Sequence, residues 1–300
     1  GVGEAKTLWE RLEVRRSAVE ELRDDIDLRE DLALAGPALR AEVDPEALCA
    51  WGEAPTTLPT SPLLWWAIWL PSLGTPLTLG LALAGILPWW PFLLCAAVEA
   101  PLYKLLGKRL GKIVGGVNVA GRQLAVLASL LARLEALEVT SPRLRELHAR
   151  LSARGMTASA SVASLQRRLN WLEAMKNAVF APLGFITLWP LHFGGAVERW
   201  RLAAGPQIRV WLRTLGELEA LCCLAGYAFE HPEDPFAELA EEGPALLQGE
   251  GLAHPLMPPE EAVANRISLA AGAHDAGGAA DEAAVWMVSG SNMSGKSTYL

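Results

Sequence analysis

The stretch that decides the fold runs from Ser61 to Val98 and reads SPLLWWAIWLPSLGTPLTLGLALAGILPWWPFLLCAAV. No charged residue occurs between Glu53 and Glu99. Because one membrane-spanning helix needs about 20 apolar residues, this region can hold two short spans joined by a tight turn. Its tryptophans cluster near the expected span ends, which is typical of membrane interfaces. The stretch therefore predicts a helical hairpin that inserts into a membrane through residues 62–106.

We place the first span near residues 63–83, the turn at 84–88 and the second span near 89–106. Two prolines lie inside the first span and are expected to kink it. Glu99 is expected to lie close enough to the end of the second span to reach the lipid headgroups. The alternatives are a helical hairpin buried in a soluble core and a shallow re-entrant element. Trp65, Trp66 and Trp69 are expected at one membrane interface, and Trp89 and Trp90 at the other. The prolines expected to kink the first span are Pro71 and Pro76.

The charges after the hairpin predict its orientation. No acidic residue occurs between Glu99 and Glu135, while this segment contains Lys104, Lys108, Arg109, Lys112, Arg122 and Arg133. A basic flank favours the cytoplasmic side, and two spans return the chain to the side that it left. Both flanking parts are therefore expected at the cytoplasmic face.

A second uncharged run, residues 177–197, fits a buried core segment better than a third span, with His192 as a hydrogen-bonded core residue.

Outside the hairpin, the apolar spacing is helical. Leucines recur at steps of three and four residues from Leu124 to Leu137, which predicts one buried stripe. Ser141 and Pro142 indicate the start of the next helix, which Gly155 is expected to end. A further stripe contains Val162, Leu165, Leu169 and Leu172, and residues 5–34 predict one amphipathic helix. Such stripes indicate packing rather than chemistry. A Pro- and acid-rich connection from Glu230 then predicts a domain boundary near Gly243.

The last residues contain the clearest chemical motif. Gly290–Ser297 reads GSNMSGKS and matches the phosphate-binding pattern G-x-x-x-x-G-K-[ST]. The short apolar run before it, residues 284–288, has the character of the strand that normally precedes such a loop. Glycines allow the backbone amides to turn towards phosphate oxygens. A chance match in a Gly-rich turn is the alternative interpretation.

Each residue type in the motif has a physical role in binding ATP and Mg²⁺. Lys296 supplies a positive charge to the β- and γ-phosphates, and the Ser297 hydroxyl is the expected Mg²⁺ ligand. Thr298 is a second phosphate contact. The predicted phosphate-binding residues are Gly290, Ser291, Asn292, Met293, Ser294, Gly295, Lys296, Ser297 and Thr298. Because the chain begins with Gly and ends inside this motif, we expect a piece of a longer protein whose catalytic residues follow Leu300.

Composition limits the other classes of function. The net charge of −8 argues against a non-specific DNA-binding surface within this chain, because affinity for phosphates comes from clustered Lys and Arg. The four cysteines lack a metal-ligand spacing and are expected to be free thiols. The five histidines likewise show no zinc motif. The apolar content of 51% is high for a soluble protein and agrees with a membrane hairpin.

Several segments together resemble the MutS family of DNA mismatch repair ATPases. The loop SGSNMSGKSTYL is similar to the MutS loop, in which Asn and Met occupy the positions of Asn292 and Met293. GLAHPLM and AVANRISL resemble the elements that open the MutS ATPase domain. LGELEALCCLAGYA is similar to the helix before that domain, and GVGEAKTLWERL, RRSAVEEL and LREDLAL resemble the start of the MutS core. The hairpin fits MutS-related proteins that carry transmembrane helices within the core.

The resemblance implies a homodimeric ABC-type ATPase that acts on DNA, with Val263, Ala264 and Asn265 beside the adenine. Ala262 stands where the family often has an aromatic residue, and Ser291 and Ser294 stand where many members have Pro and Gly. A mismatch-reading domain does not precede the core in this sequence. Mismatched DNA is therefore a partner that the resemblance alone implies.

The predicted fold is mainly α. It comprises a MutS-like helical core and lever with an inserted two-helix transmembrane hairpin, followed by the first strands and P-loop of an α/β ATPase domain of ABC type. The expected boundaries are residues 1–55 and 107–242 for the core and lever, 56–106 for the hairpin and 243–300 for the start of the ATPase domain. Two other functions stay open: a membrane-bound ABC-type ATPase without a DNA role, and a helical anchoring or dimerisation module without activity of its own.

Overall fold

The computed structural model describes residues 2–56, 62–153, 155–174, 184, 186–238, 246–255, 257–258, 260–270, 287 and 289. These residues are mainly helical, as the sequence predicts. The helices are α1 (Val2–Arg23), α2 (Ile26–Glu42), α3 (Pro45–Glu53), α4 (Pro62–Leu83), α5 (Trp90–Glu135), α6 (Pro142–Arg150), α7 (Ala158–Ala174) and α8 (Trp189–Glu230). The strands are β1 (Ser152–Ala153), β2 (Met156–Thr157), β3 (Leu246–Leu252) and β4 (Asn265–Ala270).

The chain divides into two compact units. One unit comprises Val14–Asp234 and contains the helices from the end of α1 to α8. The other comprises Gly1–Glu13 and Pro235–Leu300 and contains the antiparallel pair β3–β4. The boundary predicted near Gly243 lies outside the described residues.

The core of the helical unit lies where α5, α7 and α8 pack against one another. The stripe predicted from Leu124 onward is buried, and Val162, Leu165 and Leu169 of α7 are buried as predicted. Their burial stabilises the fold by about 1.5–3 kcal/mol for each large side chain. The side chains that form this core include Leu124, Leu127, Leu131, Val162, Leu165, Ile208, Trp211 and Leu218.

Helix α3 crosses α8 at very short distance because both helices have glycine at the crossing. A Cβ atom built on Gly205 would lie 2.2 Å from the carbonyl oxygen of Gly52. Close to this crossing, the buried Arg201 of α8 donates hydrogen bonds to the carbonyl oxygens of Trp51 (3.0 Å), Ala54 and Pro55 (3.1 Å). It also pairs with Glu198 at 2.6 Å, and both side chains are 5% exposed. Arg201 therefore satisfies the carbonyl groups at the end of α3, which an isolated helix leaves without partners.

Two predicted helix boundaries are wrong. The single helix predicted for residues 5–34 is interrupted at Asp24 and Asp25. Asp25 caps α2, because its carboxylate accepts a hydrogen bond from the Leu28 amide at 3.1 Å. Gly155 does not end α6, which stops at Arg150; it lies between β1 and β2 with a φ of 77°. A left-handed conformation suits glycine in such a turn.

The start of α6 is predicted correctly, and a carboxylate from another helix stabilises it. Ser141 is the N-cap residue and Pro142 begins the helix. The Ser141 hydroxyl makes no hydrogen bond among the described residues. Instead, Glu21 of α1 accepts hydrogen bonds from the amides of Thr140 (2.7 Å) and Ser141 (2.6 Å). A carboxylate from a distant helix thus takes the place of the local cap, which also fixes α1 against α6.

Candidate functional site

The nucleotide site predicted from the sequence lies mostly outside the described residues. All of the predicted loop residues lie outside the described part of the chain: Gly290, Ser291, Asn292, Met293, Ser294, Gly295, Lys296, Ser297 and Thr298. The predicted strand at 284–288 also lies outside them, apart from Met287. The adenine-side residues Val263 and Asn265 are described. Of the predicted nucleotide site, the structure therefore describes only the residues expected beside the adenine.

Asn265 begins β4, within the segment AVANRISL that resembles an element of the MutS ATPase domain. Strand β4 pairs antiparallel with β3, and the register shifts between Gly249 and Leu252. Gly251 lies in this bulge with a φ of 69°. The Asn265 side chain donates a hydrogen bond to the Val263 carbonyl oxygen at 3.2 Å, while the Val263 side chain is 75% exposed. The roles of Val263 and Asn265 beside an adenine stay predictions.

Two helices joined by a short turn cover the region of the predicted hairpin. Helix α4 ends at Leu83, and the amide of Ile86 bonds to the Leu81 carbonyl at 2.9 Å. Gly85 adopts a φ of 72°, so the helix ends in a Schellman motif. Helix α5 begins at Trp90 and continues to Glu135, far beyond the predicted end of the second span. The hairpin and the helical core therefore share one continuous helix.

The outer faces of α4 and α5 expose an unusual number of large apolar side chains. On α4, Trp66 and Leu70 are 66% and 68% exposed. On α5, Trp90 and Leu94 are 65% and 61% exposed. Extended exposed apolar surface marks a site for a membrane or another protein. The exposed surface of the hairpin comprises Trp66, Trp69, Leu70, Leu73, Leu77, Leu83, Ile86, Leu87, Trp89, Trp90, Leu93, Leu94, Val98 and Leu105.

Polar side chains are buried between the two helices of the hairpin, together with apolar ones. Thr75 of α4 donates a hydrogen bond of 2.8 Å to Glu99 of α5, and both residues are buried. The expectation that Glu99 reaches the headgroups is therefore wrong, because its carboxyl group points towards α4 instead. One turn earlier, Ser72 shares a hydrogen bond of 3.0 Å with His192 of α8. His192 is thus a hydrogen-bonded packing residue, as predicted.

Only one helix in the described part of the chain is long and apolar enough to cross a membrane by length and composition. It covers Trp65–Leu83, and 28% of it is buried. The second predicted span does not meet this test. The two helices nevertheless pack together. Helix α8 packs against their ends away from the turn, the base of the hairpin, through a buried cluster. That cluster contains Ile68, Leu106, Leu188 and Leu191, with Trp65 and Leu102 packed against it.

Other sites expected or excluded from the sequence can be compared with the described residues. The four cysteines are free, as predicted. No group of three or more His, Cys, Asp or Glu side chains within the described ranges could hold a metal ion. The predicted Mg²⁺ ligand Ser297 lies outside those ranges.

Burial, followed by the positive charge of Arg199, lowers the pKa of the His192 ring, so the ring is neutral when it bonds to Ser72 at pH 7.

Two arginines make contacts between helices of the helical unit that the sequence does not predict. Arg201 joins α3 to α8 by donating hydrogen bonds to backbone carbonyl oxygens. The sequence around Arg201 contains no local pattern that predicts this role. Arg199, one turn from Gly195, lies 5.0 Å above the ring of Trp65. The sequence separation between Trp65 and Arg199 hides this contact. Both roles depend on tertiary packing.

Comparison of the chain with protein-family models, with curated proteins and with solved structures finds no match. The resemblance to MutS thus rests on the sequence motifs described above.

Proposed function

We propose that this chain is the nucleotide-binding part of a MutS-type ATPase held at the cytoplasmic face of a membrane by residues 62–106. The observation that carries the proposal is the phosphate-binding motif at Gly290–Ser297, preceded by a run of strand character. Backbone amides at such a loop bind phosphate oxygens in a way that few other sequences allow. Gly290–Thr298 would hold the triphosphate, and Ser297 would hold Mg²⁺. Bound Mg²⁺ neutralises charge on the β- and γ-phosphates.

The adenine side of the site supports the same proposal. Val263 exposes its side chain, and Asn265 is oriented by the Val263 carbonyl at the start of β4. These residues occupy the positions that the resemblance assigns to the adenine pocket. An aliphatic side chain can take over part of the contact that an aromatic residue at Ala262 would otherwise provide. ATP is therefore the nucleotide that we propose.

The membrane tether is supported by the distribution of side chains in α4 and α5. Large apolar residues face outward, while Thr75 and Glu99 bond to each other inside the hairpin. In a bilayer, polar side chains turn towards other helices because lipid offers them no hydrogen bonds. The 22 residues of α4 would extend about 33 Å, enough to cross the hydrocarbon core.

The proposed role of the intact protein is DNA mismatch repair, with mismatched DNA and a second copy of the chain as partners. This part of the proposal follows from the MutS resemblance. The net charge of −8 favours a second candidate, a membrane-bound ABC-type ATPase without a DNA role. Affinity of the intact protein for duplex DNA discriminates between the two candidates. Stronger binding to a mismatched duplex supports the first, and no binding to any duplex supports the second.

The nucleotide site is tested by replacing Lys296 with alanine in the full-length protein. The change removes the positive charge at the β- and γ-phosphates, so ATP turnover should fall by roughly 100-fold or more. Turnover is measured as phosphate release in detergent, with circular dichroism as a check on folding. Arg145→Ala is the matched control because Arg145 is exposed on α6. Equal turnover in the Lys296→Ala variant and the unmodified protein would remove the ATPase assignment.

A further inference from the structure

A cavity of about 310 Å³ lies between α7 and α8, outside the nucleotide site. Its volume lies at the lower end of the range for small-molecule sites. Arginine, glutamine and serine side chains line it together with two buried tryptophans. The residues that matter here are Ser164, Arg168, Arg199, Trp200, Gln207 and Trp211.

The charges in this cavity are all positive. Arg168 and Arg199 line it, and no carboxylate is among the lining residues that the structure describes. Within the described residues, Arg168 donates hydrogen bonds only to Ser164, through the carbonyl oxygen (2.8 Å) and the hydroxyl (2.7 Å). Burial lowers the pKa of Arg168, and the positive charges of Arg167 and Arg199 lower it further. Two neighbouring cations for which the described residues provide no counter-ion would be stabilised by an anionic ligand.

One of the two tryptophans that line the cavity has an indole N–H without a partner among the described residues. The indole N–H of Trp200 donates to the Ser161 carbonyl oxygen at 2.9 Å. The indole N–H of Trp211 is buried and has no hydrogen-bond partner among the described residues. A buried donor without a partner costs about 1–3 kcal/mol, so an acceptor at this position would stabilise the structure. Donors and positive charge together favour an oxyanion as the ligand.

The position of Arg199 connects the cavity to the base of the hairpin. Its guanidinium lies 5.0 Å above the ring of Trp65. The Trp65 ring in turn packs directly on Gly195, where a Cβ atom would lie 1.9 Å from the ring. Trp65 is also the first residue of the apolar span Trp65–Leu83. If α4 spans the membrane with Trp65 at the headgroup level, where tryptophan is enriched, Arg199 lies at the depth of the lipid phosphates.

We propose that this cavity binds the phosphate group of an anionic phospholipid from the leaflet that faces the helical unit. The inference rests on the proposed membrane tether, because only insertion of α4 brings Trp65 to the headgroup level. Arg168 and Arg199 bind the phosphate oxygens, and Gln207 offers a further donor. The apolar surfaces of Trp200 and Trp211 contact the glycerol part of the lipid. Basic pockets beside membrane helices bind headgroups in this way.

The test measures binding of soluble short-chain lipids to the intact protein in non-ionic detergent by isothermal titration calorimetry. The probes are dihexanoyl phosphatidylglycerol, dihexanoyl phosphatidylcholine and inorganic phosphate. We expect phosphatidylglycerol to bind most tightly. The double variant Arg168→Gln/Arg199→Gln should bind it roughly 30-fold more weakly, since each arginine near an anionic lipid surface contributes about a factor of five. Arg15→Gln/Arg145→Gln, which removes two exposed arginines, is the matched control and should bind as the unmodified protein does.

Three results would overturn the inference. They are equal affinity for phosphatidylglycerol and phosphatidylcholine, unchanged affinity in the Arg168/Arg199 double variant, and equal affinity for inorganic phosphate, which would make free phosphate the ligand. If the double variant fails to fold, the single variant Arg168→Gln should still lose about fivefold, because its described bonds lie within its own helix.

A separate readout distinguishes this inference from the proposed tether. The unmodified protein and the double variant are both expected to stay in the membrane fraction after a carbonate wash. Loss of the unmodified protein from membranes would contradict the tether and the inference that rests on it. Retention in membranes without phosphatidylglycerol binding would contradict the lipid site alone.

Discussion

At the scale of single residues, the contact between Gly52 and Gly205 determines how closely two helices of the core approach. The carbonyl oxygen of Gly52 lies only 2.2 Å from the position that a Cβ atom of residue 205 would take, and the nearest obstructing atoms all belong to the backbone. A backbone atom cannot move aside as a flexible side chain can. The two glycines therefore fix the crossing of α3 and α8, and with it the place where Arg201 bonds the end of α3.

Replacing Gly205 with alanine should lower the free energy of unfolding by about 1–3 kcal/mol, because α3 must move away from α8. Gly216→Ala, in the same helix, is the control. A Cβ there meets nothing within 4 Å, so alanine should raise stability by roughly 0.5–1 kcal/mol. Urea unfolding followed by circular dichroism measures both changes. Changes of the same sign in the two variants would contradict the close crossing.

At the scale of elements, the sequence predicts those helices whose signals are local. The leucine stripes identify the buried faces of α5 and α7, and Pro142 marks the start of α6. The break at Asp25 also had a local signal, since Asp before Ile26 is a preferred N-cap. It was missed because the apolar spacing continues across it. Gly85 shows the opposite case, where a predicted turn coincides with a left-handed glycine.

Other features of the elements depend on contacts between residues that are distant in sequence. Glu21 caps α6 from about 120 residues away, and Glu99 turns towards Thr75 instead of the headgroups. Neither pairing follows from spacing or propensity, because each partner is chosen by the packing of whole helices. The same holds for Arg168 and Arg199, which meet only when α7 and α8 pack together. The nucleotide loop has the strongest local signal in the chain and so far remains a prediction.

The arginines of α8 that face α3 differ in burial, and this difference predicts different effects on stability. Arg201 is 5% exposed and bonds three carbonyl oxygens, while Arg209 pairs with Glu53 in a contact that is 45% exposed on the arginine side. Arg201→Lys should cost about 2–4 kcal/mol, because lysine lacks the planar donor fork. Arg209→Lys should cost less than about 1 kcal/mol, since exposed pairs contribute little. Thermal unfolding of the two variants tests this, and equal losses would contradict it.

At the scale of the whole molecule, the hairpin decides which compartments the chain can reach. Helices α4 and α5 run in opposite directions around the turn at Gly85, and α5 continues directly into the helical core. If both cross the membrane, the core and the nucleotide loop lie on one side and the turn lies on the other. The proposed ATP site would require the cytoplasmic side for the core. The basic residues after the hairpin favour the same orientation.

Cysteine labelling tests this topology, because the chain provides an exposed cysteine on the core side. Cys223 of α8 is exposed, while Cys49 and Cys222 are buried. Ile86, in the turn, is 69% exposed, so Ile86→Cys in a Cys95→Ser/Cys223→Ser background places one reactive thiol there. A membrane-impermeant maleimide should label Ile86→Cys in intact cells, whereas Cys223 should react only after the membrane is opened. Labelling of both positions from the same side would show that the hairpin does not cross, because two true spans must separate the turn from the core.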